Sequence, residues 1–307
     1  MRELVVEPDA AGERLDVFLA REAGSRAAAQ RLIDDGLVRV DGVARPKRHT
    51  VTAGERVTVL PAPAVAEPDV PEATFAIAYE DEHLLVIDKP AGVVVHPARG
   101  HRAGTLAQAL AGHAAGGDEG REGIVHRLDR DTSGLLVVAR SEAVHAALKA
   151  QLQKREITRE YLALVEGRPA SRAGTIDAPL GRDRRVRTRI STDTSEPRPA
   201  ITHFDTEETF PDYTLLRVRL ETGRTHQIRA HLKAIGTPVA GDPEYGRKGA
   251  LGLGRQFLHA DHLAFVHPVT GAEVDVRSPL PADLAAAREK AGRSTGGRGR
   301  EGRPAQA

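Results

Sequence analysis

The stretch Ile124-Val125-His126-Arg127-Leu128-Asp129-Arg130-Asp131-Thr132-Ser133-Gly134-Leu135-Leu136-Val137-Val138-Ala139-Arg140 sets a dense polar knot directly against an apolar run. Leu135 to Ala139 has the unbroken hydrophobicity of a strand buried on both faces, and Gly134 is the hinge into it. Seven ionisable or hydroxyl residues crowd the eight positions from His126 to Ser133. By itself such a knot is equally a surface loop laced with salt bridges, which contribute little, or a reactive loop held at the end of a sheet. Its neighbours in the chain decide between the two.

Outward from this stretch, strands dominate. Leu84 to Ile87 reads as a buried strand ended by Asp88-Lys89-Pro90-Ala91-Gly92, and Val93 to Val95 as its resumption. Thr105 introduces a helix over 106–113. Ser141 caps another that runs to about Lys154, with Val144, Leu148 and Leu152 inward. Residues 158–167, 200–208 and 213–221 alternate like strands, and 221–232 passes from strand through a glycine turn into a helix. Two more strands and a short helix over 281–290 follow. Many strands with few intervening helices predict an α+β domain over 74–290, with a largely antiparallel mixed sheet flanked by helices.

Residues 1–60 form a separate small α/β module: a helix around Leu15, Phe18 and Leu19, a second after Ser25, then short strands around an Asp41-Gly42 turn. Four prolines and three acids in 61–73 make an extended linker. The Arg/Gly tail, 291–307, has nothing to bury and is expected to be disordered.

Composition narrows the chemistry. The chain of 307 residues has no cysteine, which excludes disulfides and thiolate metal sites and fits a cytoplasmic setting. No apolar run reaches the length of about 20 residues that a membrane helix needs. A net charge of only +1 means that nucleic-acid binding must come from local clusters, such as the five arginines within 181–190. Aromatics at 3% and the lack of tryptophan argue against broad stacking platforms of the single-strand-binding kind. The GxxxxGK[ST], GxGxxG and GxSxG signatures are missing, which removes the usual supports for nucleotide hydrolysis, dinucleotide redox and serine-hydrolase chemistry. The pairs His226/His231 and His259/His262 lack HExxH spacing, so no metal site is expected. What remains is an aspartate among arginines, a carboxylate kept ionised as nucleophile or base. Arg127 is available as a planar wedge or phosphate clamp.

HRLDRDTSGLLVVAR resembles the HRLDxxTSG motif of the RluA-type pseudouridine synthases. KPAGVVVHP, REYLALVEG, GRTHQIRAH, GDPEYG and LHADHLAFVHP resemble that family's other blocks, in order, from about Tyr79 to Val276. RLDVFLA, SRAAAQRLIDDGLVRVDG and AGERVTV resemble an S4 RNA-binding domain, as in the RluD/RluC branch that modifies large-subunit ribosomal RNA. The resemblance implies a cofactor-free isomerase that flips a uridine out of RNA and converts it to pseudouridine, acting on 23S rRNA, as a monomer. It assigns Asp129 as the catalytic carboxylate, Arg229 as its partner, Tyr161 as the residue stacking on the base, and Arg127 as the filler of the vacated gap. His126 and Arg224 are further candidates for RNA contact, with Arg26, Arg31, Lys47 and Arg48 on the S4-like module. Asp131 falls at a free position of the motif. Departures include Asp41 for the usual asparagine, Glu55 for the usual aspartate, Ala98 for glycine, Gln108 for asparagine and Arg159 for lysine. The segment 181–199 is shorter and richer in arginine than usual. A tRNA-modifying member of the family and a non-catalytic rRNA assembly factor remain as alternatives.

Overall fold

The computed structural model describes residues 2–61, 74–97, 103–117 and 122–293. Most of the expected linker and the tail beyond Arg293 lie outside the described residues, as does Ala98. The chain divides into two units, Met1–Asp69 and Val70–Ala307.

The first unit is built from β1 (Arg2–Val5), α1 (Leu15–Phe18), α2 (Arg26–Asp34), β2 (Val38–Val40) and β3 (Arg56–Val59), with antiparallel sheet order β1-β3-β2. The Ser25 side chain accepts the Ala28 amide at 3.1 Å and starts α2, as its position before the apolar face predicts. Asp41 and Gly42 both have positive φ, and Val40 and Val43 exchange backbone hydrogen bonds across them. This is the two-residue turn that matches strand twist. The Asp41 carboxylate accepts the Arg56 amide at 2.9 Å, so its charge has a local structural use. β1, absent from the sequence reading, is short and mostly exposed, which leaves no alternation to detect. Leu15, Leu19, Ile33, Val38, Val40, Val51 and Val57 form this unit's core.

The second unit centres on one nine-stranded sheet, ordered β4 (Ala76–Glu80), β5 (Leu84–Lys89), β6 (Ser133–Ala139), β13 (Leu258–Val266), β7 (Thr158–Glu166), β12 (Tyr213–Leu220), β11 (Ile201–Thr209), β8 (Ala173–Asp177), with β14 (Glu273–Arg277) also on β13. All pairings are antiparallel except β6 with β13. The strands β9 (Gly181–Arg182) and β10 (Ile190–Ser191) make a separate hairpin within the arginine run. The helices are α3 (Leu106–Ala109), α4 (Glu142–Lys154), α5 (Gln227–Ala234) and α6 (Ala282–Arg293). The α+β class and the mixed, mostly antiparallel sheet are as the strand-rich pattern implied.

Every residue of β6 is buried. Leu136 and Val138 join one core, while Leu135, Val137 and Ala139 join a second with Val144 and Leu148 of α4, which explains a run without polar alternation. The parallel junction needs Gly134: its φ is +115°, and a Cβ there would lie 2.2 Å from the Ala260 carbonyl oxygen. Three expectations need correction. Val93 to Val95 is not a strand, because Val94 and Val95 give their carbonyls to the first amides of α3. α3 ends at Ala109 rather than His113. α6 continues past 290 to Arg293 because Leu284, Ala287 and Ala291 pack into the core at helical spacing.

Candidate active site

A cleft of about 820 Å³ opens where β6, β7 and α5 converge, lined by Asp129, Tyr161 and Arg229 together with Arg127, His126 and Arg224. Asp129 sits in the loop entering β6, Tyr161 on β7 and Arg229 on α5. Three segments remote in sequence therefore line one cleft.

The Asp129 loop is fastened from behind. Lys89, fully buried, donates from Nζ to the carbonyls of Pro90, Val93 and Arg130 at 2.8, 3.0 and 2.9 Å. The Gly92 amide reaches the same Arg130 carbonyl at 2.9 Å. Burial lowers Lys89 to about 7, while Asp131 and Asp129 pull the other way. Arg255 donates to the Asp131 carbonyl at 3.1 Å and forks onto Asp283 at 2.7 and 3.0 Å. Ser133 Oγ lies 3.0 Å from His259 Nδ1, and Gln256 donates to Thr132 Oγ1 at 3.2 Å. The hydroxyls of the knot thus shape the loop. The Asp131 side chain pairs with its neighbour Arg130 at 2.9 Å rather than lining the cleft.

Arg229 donates from Nη1 to Asp129 Oδ2 at 3.1 Å. Its Nε and Nη2 fork onto Asp242 at 2.6 and 3.0 Å, and Nη2 lies 3.6 Å from Glu244. Burial works against the guanidinium charge, but Asp242 and then Asp129 more than restore it, so its pKa rises above the ordinary value. Asp242 is fully buried and also accepts the amides of Glu244 and Tyr245 at 2.9 and 3.0 Å. Burial opposes its charge too, and the Arg229 bonds outweigh it, holding the carboxyl below the usual carboxylate range. The arginine is therefore fixed by Asp242 on one edge and offers Nη1 to Asp129 on another.

Tyr245 braces this wall. Its ring lies beneath the guanidiniums of Arg229 and Arg189, at 5.0 and 5.1 Å from the centroid, and its hydroxyl donates to the Ile190 carbonyl at 2.9 Å. The arginine-rich hairpin is thereby docked against the loop that holds Arg229. Tyr161 is 4% exposed; burial raises its pKa, Asp129 adds to that and Arg159 opposes it, which keeps a neutral phenol in the cleft.

His126 Nε2 accepts the Val137 amide at 3.3 Å, tying the loop to the edge of β6. Burial, then the charge of Arg159, lowers it to about 3, so the ring is neutral. Arg127 is exposed on the cleft wall; Arg224 is also exposed and donates to the Pro199 carbonyl at 3.1 Å. On the first unit, Arg26 is tied to fully buried Asp16 at 3.0 Å and Lys47 to Asp34 at 3.3 Å, while Arg31 and Arg48 are exposed. The histidine pairs are used structurally: His231 contacts Thr202 and the Ala178 carbonyl, and His259 contacts Ser133 and the Ser278 carbonyl. No cluster of three potential metal ligands occurs among the described residues. No described helix is long and apolar enough to cross a membrane.

Sequence reasoning missed Asp242, Lys89, Arg255 and Tyr245 as parts of the site. Lys89 left a trace, a cation at the end of a buried strand. Asp242 lies in the GDPEYG block, but a tight turn of that composition does not by itself show that its carboxylate pairs with Arg229.

Residues 83–234 match the RNA pseudouridylate synthase family, and residues 13–57 match the S4 domain. A protein of Bacillus subtilis described as the uncharacterized RNA pseudouridine synthase YlyB is 44% identical over 92% of this chain and 95% of its own length. The ribosomal large subunit pseudouridine synthase D of Nitrosomonas europaea is 44% identical over 92% of this chain and 86% of its own. The solved structure of human RNA Pseudouridylate Synthase Domain Containing 1 superposes with a TM-score of 0.56 at 26% identity, covering 73% of this chain and 96% of that one. The chain belongs to the RNA pseudouridine synthase family, in the form that carries an N-terminal S4 domain.

Proposed function

We propose that this pseudouridine synthase acts on uridines of 23S rRNA, with Asp129 as the reacting carboxylate and the target base flipped into the cleft. The observation that carries the reading is the Asp129 carboxylate seated 3.1 Å from an Arg229 guanidinium that Asp242 already fixes. A carboxylate oriented before substrate arrives needs little reorganisation to attack. Tyr161 presents a buried neutral phenol ring against which a pyrimidine can pack, and exposed Arg127 can fill the stack that the base leaves. His126 serves mainly by holding the loop, and Arg224 by meeting backbone phosphate at the rim. The ribosomal target is supported by relatives named for the large ribosomal subunit. The reaction breaks and remakes bonds within one nucleotide and requires no cofactor.

The S4 domain supplies affinity through Arg31, Arg48, Lys47 and Arg26. A cytoplasmic monomer fits this role, with the domain bounds near 1–60 and 74–290. In the decisive experiment, Asp129→Asn binds 23S rRNA fragments normally and loses at least about 10³-fold in pseudouridine formation. Wild-type product from that variant would sink the reading. A pseudouridine map of rRNA and tRNA from cells with and without the protein separates a ribosomal from a transfer-RNA target. Rescue of a deletion strain by Asp129→Asn would favour an assembly factor.

A further inference from the structure

Four lysine or arginine side chains are buried among the described residues: Lys89, Arg159, Arg229 and Arg255. Three have their charge answered. Arg229 and Arg255 fork onto Asp242 and Asp283, and Lys89 is coordinated by three carbonyls. Arg159, only 7% exposed, is different. Its Nη2 reaches the carbonyls of Leu220 and Glu221 at 3.4 Å, near the limit of a hydrogen bond, and its Nε is buried without a partner. It forms no ion pair with a carboxylate among the described residues. The adjacent Glu160 points to the other face of β7, where it meets His262 at 3.0 Å and Arg217 at 3.3 Å.

A buried cation without a counter-charge is costly, and a fold retains one where a ligand supplies the charge. Arg159 lines the cleft with Asp129 and Tyr161, and it shares a strand face with Tyr161, roughly 7 Å along β7. Backbone phosphates suit the exposed rim arginines; the buried one is matched to the base.

The isomerisation generates the missing charge. The C1′–N1 bond breaks with its electron pair left on the pyrimidine, which becomes an anion delocalised over N1, O2 and O4. The Asp129 carboxylate takes the ribose carbon as an ester. The pyrimidine then attacks through C5, forming C1′–C5 and expelling the carboxylate with its electron pair, and the C5 proton is lost as N1 gains one. If the carboxylate instead adds to the ring, the displaced pair also collects on a ring oxygen, so the pyrimidine carries negative charge in either course.

Resting on the reading that Asp129 starts this chemistry in the cleft, we infer that Arg159 is a further catalytic residue whose unpaired guanidinium binds the uracil oxygens as the base becomes an anion. The contact strengthens only as the charge develops, so it acts on turnover rather than on RNA affinity.

The test uses full-length enzyme and single-turnover kinetics on one RNA carrying either uridine or 5-fluorouridine at the target. Fluorine stabilises the pyrimidine anion by itself and reduces the need for the cation. Arg159→Met is expected to lose about 100-fold in rate on uridine, with RNA affinity within about threefold. The loss should shrink to about tenfold for disappearance of 5-fluorouridine. Removing a buried unpaired charge should also leave its melting temperature equal to or above that of the wild type. Should Arg159→Met not fold, Arg159→Lys carries the same comparison with a smaller loss on uridine. Equal losses on both bases with weakened RNA binding would overturn the inference and assign Arg159 to a phosphate; unchanged turnover would also overturn it. Asp129→Asn run alongside keeps the two failures apart. An active Asp129→Asn refutes the reading of the site, whereas an inactive one beside a fully active Arg159→Met refutes only the role of Arg159.

Discussion

Two arginines that line the cleft are buried to nearly the same degree and differ in how their charge is answered. Arg229 on α5 is held by Asp242, Asp129 and Glu244; Arg159 on β7 has two long contacts to carbonyls and an orphaned Nε. Equal burial therefore says nothing about role. Where the fold supplies the counter-charges, the guanidinium is a fixture that orients a reactive group. Where it supplies none, the guanidinium is kept for a charge that arrives with the substrate.

The largest effect should follow from breaking the fixture. Asp242→Ala strands Arg229 with its deepest partner gone and is expected to cost about 3–5 kcal/mol of stability in denaturant melts. Rates should fall as Asp129 loses its anchor; a loss under about 1 kcal/mol would show that Asp242 is not what fixes the arginine. The same contact has a pH signature. Because the Asp242 carboxyl is held below its unfolded value, its stabilisation is fully present above the ordinary carboxylate range and is lost as pH falls through the lowered value. The acid limb of stability should therefore flatten in Asp242→Asn.

An intermediate effect should follow from making the two arginines alike. A Cβ at Gly223 would lie 3.2 Å from Arg159 Nη1, so Gly223→Asp sets a carboxylate beside the unanswered cation. Turnover should drop about tenfold or more while the melting temperature rises by about 2–4 °C. Undiminished turnover would mean that the unpaired state of Arg159 is not used.

The smallest effect marks the exposed end of the scale. Arg31→Gln with Arg48→Gln on the S4 domain should weaken RNA binding only severalfold, and lower the salt dependence of binding by about two phosphate contacts, without altering single-turnover rates at saturating RNA. A change in saturated rate would give these arginines more than an affinity role.

Local chemistry made much of this protein legible in its sequence. The Ser25 and Ser141 caps, the Asp41-Gly42 turn and the all-buried β6 strand depend on neighbours within a few residues, and each stands where the residues put it. Asp129, Tyr161 and Arg229 were accessible through the spacing of ordered motif blocks, and their convergence on one cleft fits that order. Short elements were not accessible: β1 and β8 are held by pairing with β3 and β11, and β9 and β10 by pairing with each other, rather than by any hydrophobic pattern of their own.

Sequence alone therefore determined the family and the α+β class, because these are carried by residue types at fixed local spacing. Only the tertiary structure decided which charges are answered. Asp242 lies 13 residues from Arg229 and Lys89 lies 41 from Arg130, while Glu160, next to Arg159 in the chain, faces away from it. Here strand pleat and helix packing, more than chain proximity, choose the partners of the buried charges, and that choice distinguishes the arginine held by Asp242 and Asp129 from the one without a carboxylate partner.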